Sequence, residues 1–426
     1  MLNTILKSGF FRLLFLGVTF LTSLLVAKIS GADGFGIISL LILNGALFLL
    51  ITGFGTDAAV IWHGSGKEVD EDGVFTIAFV TGVFQIALFG LLEYISVSIT
   101  GKSLLTQQMG KWYPLIEFIY CAGLVLTDKY LSLFYARNNA ALANKILLFT
   151  SLLSFSFFFF LLLNYVNGVQ PLPLFCAMIL LQGLSLSIIF HSRFSKIKFQ
   201  KLSVDQLNSV FNFSLLVFFT NLIQFLAYRV DFWILDFYFD KTEVGVYAQA
   251  CQFAQLLWIV PRIFASMVTP ALRNEPKLDD YQFAQLFRIV SLASAFLLVI
   301  TICLAFLLYQ YFLPIEFTNG FTALVIMLPG YFLFKVVTII PPYFSSKRML
   351  WVNFNTTSIC FIVIVIFDLL LIPIYGIKGA AFASSIVYTL AAILIVFRLM
   401  KQTQLPINSL WKINKSDLQL LHKFHF

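Results

Sequence analysis

The feature that most limits this chain is the length of its apolar runs. Ser151 to Leu163 reads SLLSFSFFFFLLL, with no charge and no two-residue alternation, and stretches of this kind recur throughout. A helix needs roughly 20 apolar residues to cross the ~30 Å hydrocarbon core. A transmembrane strand instead alternates lipid-facing and lumen-facing residues. The runs therefore read as membrane-spanning helices. Charge is also too scarce for a soluble surface: 11% of the 426 residues are charged and 60% are hydrophobic, against about 25% charged in an ordinary soluble domain. Soluble enzymes, nucleic-acid binders and disordered scaffolds are excluded.

Hydropathy predicts twelve spans, at about 9–27, 37–61, 74–99, 114–136, 146–164, 172–192, 209–231, 244–270, 286–311, 318–343, 352–373 and 377–399. The seventh run stays apolar to Phe239 but is cut by Arg229, Asp231 and Asp236. Lysine and arginine then set the orientation. With the N-terminus in the cytoplasm, the outside loops hold six basic residues (Lys28, Lys102, Lys111, Arg229, Lys241 and Lys378), and inside loops and tails hold nineteen. The remaining three, Lys129, Arg262 and Lys335, fall within spans. The positive-inside rule puts both termini in the cytoplasm. The net charge of +8 is thus mostly an orientation signal.

The two halves repeat. A shift of 209 positions superposes Gly36 on Gly245, each opening a span after a short outside loop, and Asn144 on Asn353, each closing a basic inside loop. Gly168 and Gly376 match at nearly the same offset. Six spans per half means that both halves enter the membrane in one direction. The expected fold is an all-α polytopic membrane protein of about twelve transmembrane helices, in two parallel-repeat six-helix bundles around a central cavity. The bundles cover 1–200 and 201–400, and 401–426 forms a cytoplasmic tail. Leu410 to Phe424 is predicted to lie on the inner leaflet as an amphipathic helix.

No GxxxxGK[ST] is present, and GADGFG at 31–36 reads as a tight turn. No polar stretch is long enough for a nucleotide-binding or catalytic domain, so energy comes from a gradient or from the downhill fate of the cargo. The five cysteines lie in apolar runs and read as small buried hydrophobes. No histidine has a partner at metal spacing, and no metal or cofactor is expected.

An ionisable residue inside a span costs at least ~2.5 kcal/mol on insertion scales and is a functional candidate. These are Arg12, Asp57, Glu93, Glu117, Asp128, Lys129, Arg229, Asp231, Arg262, Lys335 and Asp368. Arg12, Glu93, Asp231 and Asp368 are equally explained as residues near span ends that reach the interface. Lys129, Arg262 and Lys335 lie deeper. Facing one cavity, they would suit an anionic cargo, because Arg and Lys pair strongly with phosphate oxygens. The competing account pairs them internally, Lys129 with Glu117 or Arg262 with Asp57. The expected substrate-binding set is Arg12, Asp57, Lys129, Arg229, Asp231, Arg262 and Lys335. Prolines 114, 261, 270, 329, 341 and 342 mark hinges or static kinks. GAAFASS at 379–385 marks a close-packing helix face.

The stretch YRVDFWILDFYFDKTEVGVYAQACQFAQLLWIVPRIFASMVTPAL (228–272) resembles the bacterial polysaccharide exporters of the multidrug/oligosaccharidyl-lipid/polysaccharide superfamily. There an Arg–x–Asp closes the seventh span and a Val-Gly-x-Tyr opens the eighth, which ends near a proline. Here these are Arg229, Asp231, Val244, Gly245, Tyr247 and Pro270. GADGFGIISL, GFGTDAAVIWH with Asp57, and IPIYGIKGAAFASSIV (372–387) are similar to the same family. The resemblance implies a flippase for oligosaccharide repeat units, O-antigen foremost, on undecaprenyl pyrophosphate. It places the protein in the inner membrane among membrane lipids, feeding a separate periplasmic polymerase, with no nucleic-acid partner. Two alternatives stay open: a cation-coupled multidrug exporter of the same superfamily, and an integral-membrane glycan polymerase. The short outside loops count against the polymerase.

Overall fold

The computed structural model describes residues 2–66, 69–164, 170–195, 197–262, 265, 280–346 and 349–403. Among them the regular structure is helical, apart from one isolated bridge between Lys102 and Met109. The predicted tail helix at 410–424 and Pro270 lie outside the described residues.

The first two predicted spans form one helical element, α1 (Leu2–Gly53), broken at Gly31 with φ 68° and ψ −177°. Only glycine takes that conformation without strain. The second predicted span, 37–61, is not continuous as expected. It stops at Gly53, turns through Phe54 and Gly55, both with positive φ, and resumes as α2 (Thr56–Gly66). The cause is a close approach: a Cβ on Gly55 would lie 2.5 Å from the Ser214 carbonyl oxygen. Phe54 meanwhile stacks on Phe218 at 4.5 Å.

The predicted third to sixth spans are α3 (Glu71–Thr100), α4 (Tyr113–Ala136), α5 (Ala140–Leu163) and α6 (Pro171–Arg193). Helices α4 and α6 interlock through small residues. A Cβ on Gly123 would sit 2.5 Å from the Leu180 backbone, and one on Gly183 2.6 Å from the Gly123 carbonyl, the close approach expected between membrane helices. On α5, Phe158 is buried while Phe159 and Phe160 are exposed, as a lipid-facing surface requires. Helix α7 (Val204–Tyr238) runs past the predicted end at 231.

The inside loops of the first half converge at one end. Arg137, after α4, is 2.8 Å from Glu71 at the start of α3. The backbone amides of Lys198 and Gln200 donate to Asp72 (3.1 Å) and Thr76 (2.9 Å). Three loops predicted to share a side therefore do so.

The remaining helices are α8 (Lys241–Gln255), α9 (Asp280–Tyr311), α10 (Thr318–Leu333), α11 (Lys335–Ile339), α12 (Pro341–Ser346), α13 (Leu350–Tyr375) and α14 (Ile377–Thr403). The predicted eighth span breaks after Gln255 into a 3₁₀ turn, Leu256–Trp258. Pro261 explains the break, since its ring crowds the carbonyl four residues earlier and it donates no hydrogen bond. The tenth span bends by 41° between α10 and α11. In α14 the small-residue run packs as predicted: Ala380, Ala381, Ala383 and Ser384 are buried, and a Cβ on Gly330 would meet Ser385 Cα at 2.5 Å.

Among the described residues, eight helices are long and apolar enough to cross a membrane, or nine with the bent pair. Separating α1 at Gly31, and adding α4 and the broken α8, accounts for the twelve predicted spans.

The chain divides into two compact units, Met1–Phe225 and Leu226–Phe426. The division falls inside α7, not at 200/201. The first part of α7 belongs with the first unit because Phe213 packs on Trp62 and His63, and Phe218 on Phe54. The first unit's core includes Ala59, Phe75, Phe134, Leu147 and Phe190; that of the second includes Phe287, Ile339, Phe344 and Ile395. Four cysteines are buried, but Cys303 is exposed, contrary to expectation, because it lies on the outer apolar face of α9. Arg288, counted above with the inside loops, is instead 2% exposed within α9.

Candidate functional site

Each unit holds its own buried polar cluster. In the first, the turn at Phe54–Gly55 puts Asp57 in the opening turn of α2, where the helix dipole favours a carboxylate. Lys129 of α4 places Nζ 2.6 Å from Asp57 Oδ1 and 3.6 Å from Asp128 Oδ2. Lys129 thus pairs with Asp57, not with Glu117. Gln85 of α3 is fully buried beside them and donates to Thr52 Oγ1 (2.9 Å) and the Leu49 carbonyl (3.2 Å).

Glu117 has a different task. It is fully buried and accepts from the Leu105 amide (2.7 Å), the Thr106 amide (2.9 Å) and the Thr106 hydroxyl (2.6 Å). Glu93 accepts from the Leu104 amide at 3.0 Å, and Asn44 donates to the Leu105 carbonyl at 2.5 Å. These side chains fasten the loop between α3 and α4.

In the second unit, Asp231 is buried on α7. It accepts from the Tyr247 hydroxyl of α8 at 2.5 Å and from the Phe232 amide at 3.0 Å. Ser384 of α14 lies 3.4 Å from the same hydroxyl. Asp368 of α13 is fully buried, and among the described residues neither of its carboxylate oxygens has a hydrogen-bond partner. Arg229 rests over the Phe232 ring at 5.5 Å.

The break in the eighth span positions the arginine that follows it. Trp258 stacks on Tyr331 at 4.9 Å and lies 5.0 Å from Phe334, and Phe334 packs on Tyr388 at 4.7 Å. From this aromatic platform Arg262 emerges exposed, its guanidinium 5.1 Å over the Trp258 ring. Lys335 sits at the bend between α10 and α11, 1% exposed, with Nζ 3.5 Å from the Phe332 ring centroid. Arg12 lies apart on α1, over the Phe15 ring at 5.2 Å.

The structure therefore brings together Asp57 with Lys129 in one unit, while Asp231 in the other is paired with Tyr247 and Arg229 with the Phe232 ring. It does not bring Arg12, Arg262 or Lys335 onto those acids. Sequence reasoning missed Gln85, and it named Tyr247 only within the Val-Gly-x-Tyr motif and Ser384 only within the packing run at 379–385. An amide inside an apolar run, as in TIAFVTGVFQIALF, was the available signal for Gln85. Among the described residues no three His, Cys, Asp or Glu side chains group as a metal site.

Long apolar helices in each of two compact units, with ionisable side chains buried inside them, define a multi-pass membrane protein. A sequence model of the family described as polysaccharide biosynthesis protein matches residues 25–326, and the chain belongs to that family. No curated protein matches it. Among solved structures it is similar to the lipid II flippase MurJ in an inward closed conformation, at TM-score 0.73 and 15% identity, over 100% of this chain and 93% of that one. It is also similar to an inward-facing multidrug resistance MATE transporter of the MOP superfamily (TM-score 0.67, 14% identity, 93% and 98% coverage). A MOP superfamily transporter from Pyrococcus furiosus matches at TM-score 0.63 and 14% identity, over 94% and 95% of the two chains. At such identities the likeness is one of fold.

Proposed function

We propose that this protein is a flippase that moves lipid-linked oligosaccharide repeat units, O-antigen units on undecaprenyl pyrophosphate, from the cytoplasmic to the periplasmic leaflet of the inner membrane. The observation that carries the reading is membership of a polysaccharide biosynthesis family by a chain with a transporter fold. The physical need is clear: sugars and pyrophosphate cannot cross hydrocarbon unaided, while a polyprenyl tail can stay in lipid. Arg262, exposed on its aromatic platform, is the candidate first contact for the pyrophosphate, because a guanidinium matches phosphate oxygens in pairs. With an interior-negative potential, outward movement of an anion gains about 2.3 kcal/mol per charge per 100 mV. Both termini lie in the cytoplasm on this reading, and a polymerase consumes the units on the far side.

Deletion of the gene, followed by mass spectrometry of lipid-linked intermediates, tests this. Loss of surface polysaccharide, with single repeat units trapped on the cytoplasmic leaflet, is the expected result. Accumulation on the periplasmic leaflet would point to a polymerase. Intact polysaccharide with altered drug tolerance would favour a multidrug exporter, the reading supported by the MATE-like fold and by two acids gathered around one lysine at Asp57 and Asp128.

A further inference from the structure

Helices α10 and α14 touch at one point and leave a groove beside it. A Cβ on Gly330 would meet Ser385 Cα at 2.5 Å, and the Gly330 amide donates to Ser385 Oγ at 3.2 Å. The groove along this seam has a volume of about 550 Å³. Val325 and Pro329 form one wall, and Phe382, Ser385, Thr389 and Ile393 form the other. Val325, Phe382 and Ile393 are 46%, 54% and 61% exposed, so the groove opens at the surface of the second unit. No charged side chain lines it, and such a surface in a membrane helix meets hydrocarbon.

The two hydroxyls in the groove are engaged with backbone. Ser385 Oγ accepts from the Gly330 amide, and the Thr389 hydroxyl donates to the Ser385 carbonyl at 2.8 Å. The occupant is therefore a hydrocarbon chain. Since a cavity of about 150 Å³ holds one six-carbon ring, a groove of this size takes roughly 20 carbon atoms. Its α14 wall is corrugated: Phe382, Ile386 and Leu390 project at intervals of four residues, about 6 Å apart along the axis. A polyprenyl chain, with a methyl branch on every fourth carbon, repeats at a comparable interval. A straight acyl chain has no branches to seat between the ridges.

The same two helices carry the aromatic platform on their other faces. Tyr331 of α10 stacks on Trp258, and Tyr388 of α14 lies against both, beneath the Arg262 guanidinium. We propose that the α10–α14 groove seats the polyprenyl tail of the cargo, holding about four prenyl units while the pyrophosphate is at Arg262. This rests on the flippase reading, which supplies a prenyl lipid and places its phosphates. On the orientation proposed above, Phe382 lies about 8 Å and Ile393 about 24 Å from the outer end of α14. The groove thus lies mostly in the outer half of a ~30 Å core. A tail seated there is already in the receiving leaflet, which favours outward release of the head.

The test is photolabelling of the purified full-length protein with geranylgeranyl phosphate that carries a diazirine at the end of its tail, followed by peptide mass spectrometry. Labelling of 325–329 and 382–393 is expected. Unlabelled geranylgeranyl phosphate should compete well, and eicosanyl phosphate, with the same head and carbon count but no branches, poorly. Thr389→Phe fills the groove, and displacing even two buried carbons should lower labelling about tenfold. The Thr389 hydroxyl bonds within α14, so the fold should hold. If it does not, Phe382→Ala, which removes one wall and fills nothing, should lower labelling as well. Ile362→Phe, on an exposed face of α13, should leave it unchanged. Equal competition by eicosanyl phosphate would make the groove an ordinary lipid surface and overturn the proposal. Labels found elsewhere, or undiminished in the folded groove variants, overturn it too. So does disulfide cross-linking of two copies through Thr389→Cys, which would make the groove a contact between chains. Repeat units trapped by the gene deletion without groove labelling would keep the flippase and reject the groove. Groove labelling with intact polysaccharide would keep the prenyl-lipid site and reject the flippase.

Discussion

The Tyr247 hydroxyl donates to Asp231 at 2.5 Å and so ties α8 to α7 inside the second unit. The Phe232 amide bonds the other carboxylate oxygen. In the Tyr247→Phe variant, Asp231 Oδ2 would stay buried without its donor. A lost hydrogen bond to a buried charged group costs about 2 kcal/mol. Thermal unfolding in detergent should show this loss, and an unchanged midpoint would mean that water or another group replaces the hydroxyl.

Asp368 is the opposite case, a carboxyl group fully buried on α13 with no hydrogen-bond donor among the described residues. Such a group is retained at a cost to stability. Asp368→Leu replaces the unpartnered carboxyl by an apolar group of similar size and is expected to raise the unfolding midpoint while lowering polysaccharide export. Higher stability with full export would show that the acid serves no purpose in transport.

Much of this was legible in the sequence because membrane helices announce themselves by length. The edges of α3, α4 and α6 fall within a few residues of the hydropathy runs. The breaks were harder to see. Gly55 yields to the Ser214 backbone of α7, a contact between distant parts of the chain that no local pattern encodes. Ionisable candidates were found one by one, yet their pairing was not. Lys129 faces Asp57, 72 positions away, because of how α2 lies on α4. Pro261 did signal the broken eighth span, through local chemistry alone.

Arg262 and Lys335 differ in setting and should differ in response. Arg262 is exposed over Trp258, so Arg262→Ala should cut export sharply and leave membrane insertion intact. Arg262→Lys keeps the charge but loses the planar fork and should restore only part. Lys335 is buried at a bend, so Lys335→Ala should reduce both export and the amount of folded protein. Surface polysaccharide in a complemented deletion strain, normalised to membrane protein level, separates the cases. Full export in both alanine variants would remove the basic residues from the mechanism.

Glu117 offers a test of the loop between α3 and α4. Its carboxylate collects three donors from Leu105 and Thr106, and Glu93 adds a fourth bond through Leu104. In the Glu117→Gln variant one oxygen becomes an NH₂ that can only donate, so at least one of those donors is left facing another donor. The cost is about 2 kcal/mol, and it falls on the loop, because the α4 helix keeps its own backbone bonds. A cysteine introduced at Leu105, which is 4% exposed, should then react with a membrane-impermeant maleimide many times faster in Glu117→Gln than in the parent. Equal rates would mean that Asn44 and Glu93 hold the loop by themselves. Since the positive-inside rule puts this loop outside, the reagent should reach it in intact cells only after its entry to the periplasm, and labelling from the cytoplasmic side would overturn the topology.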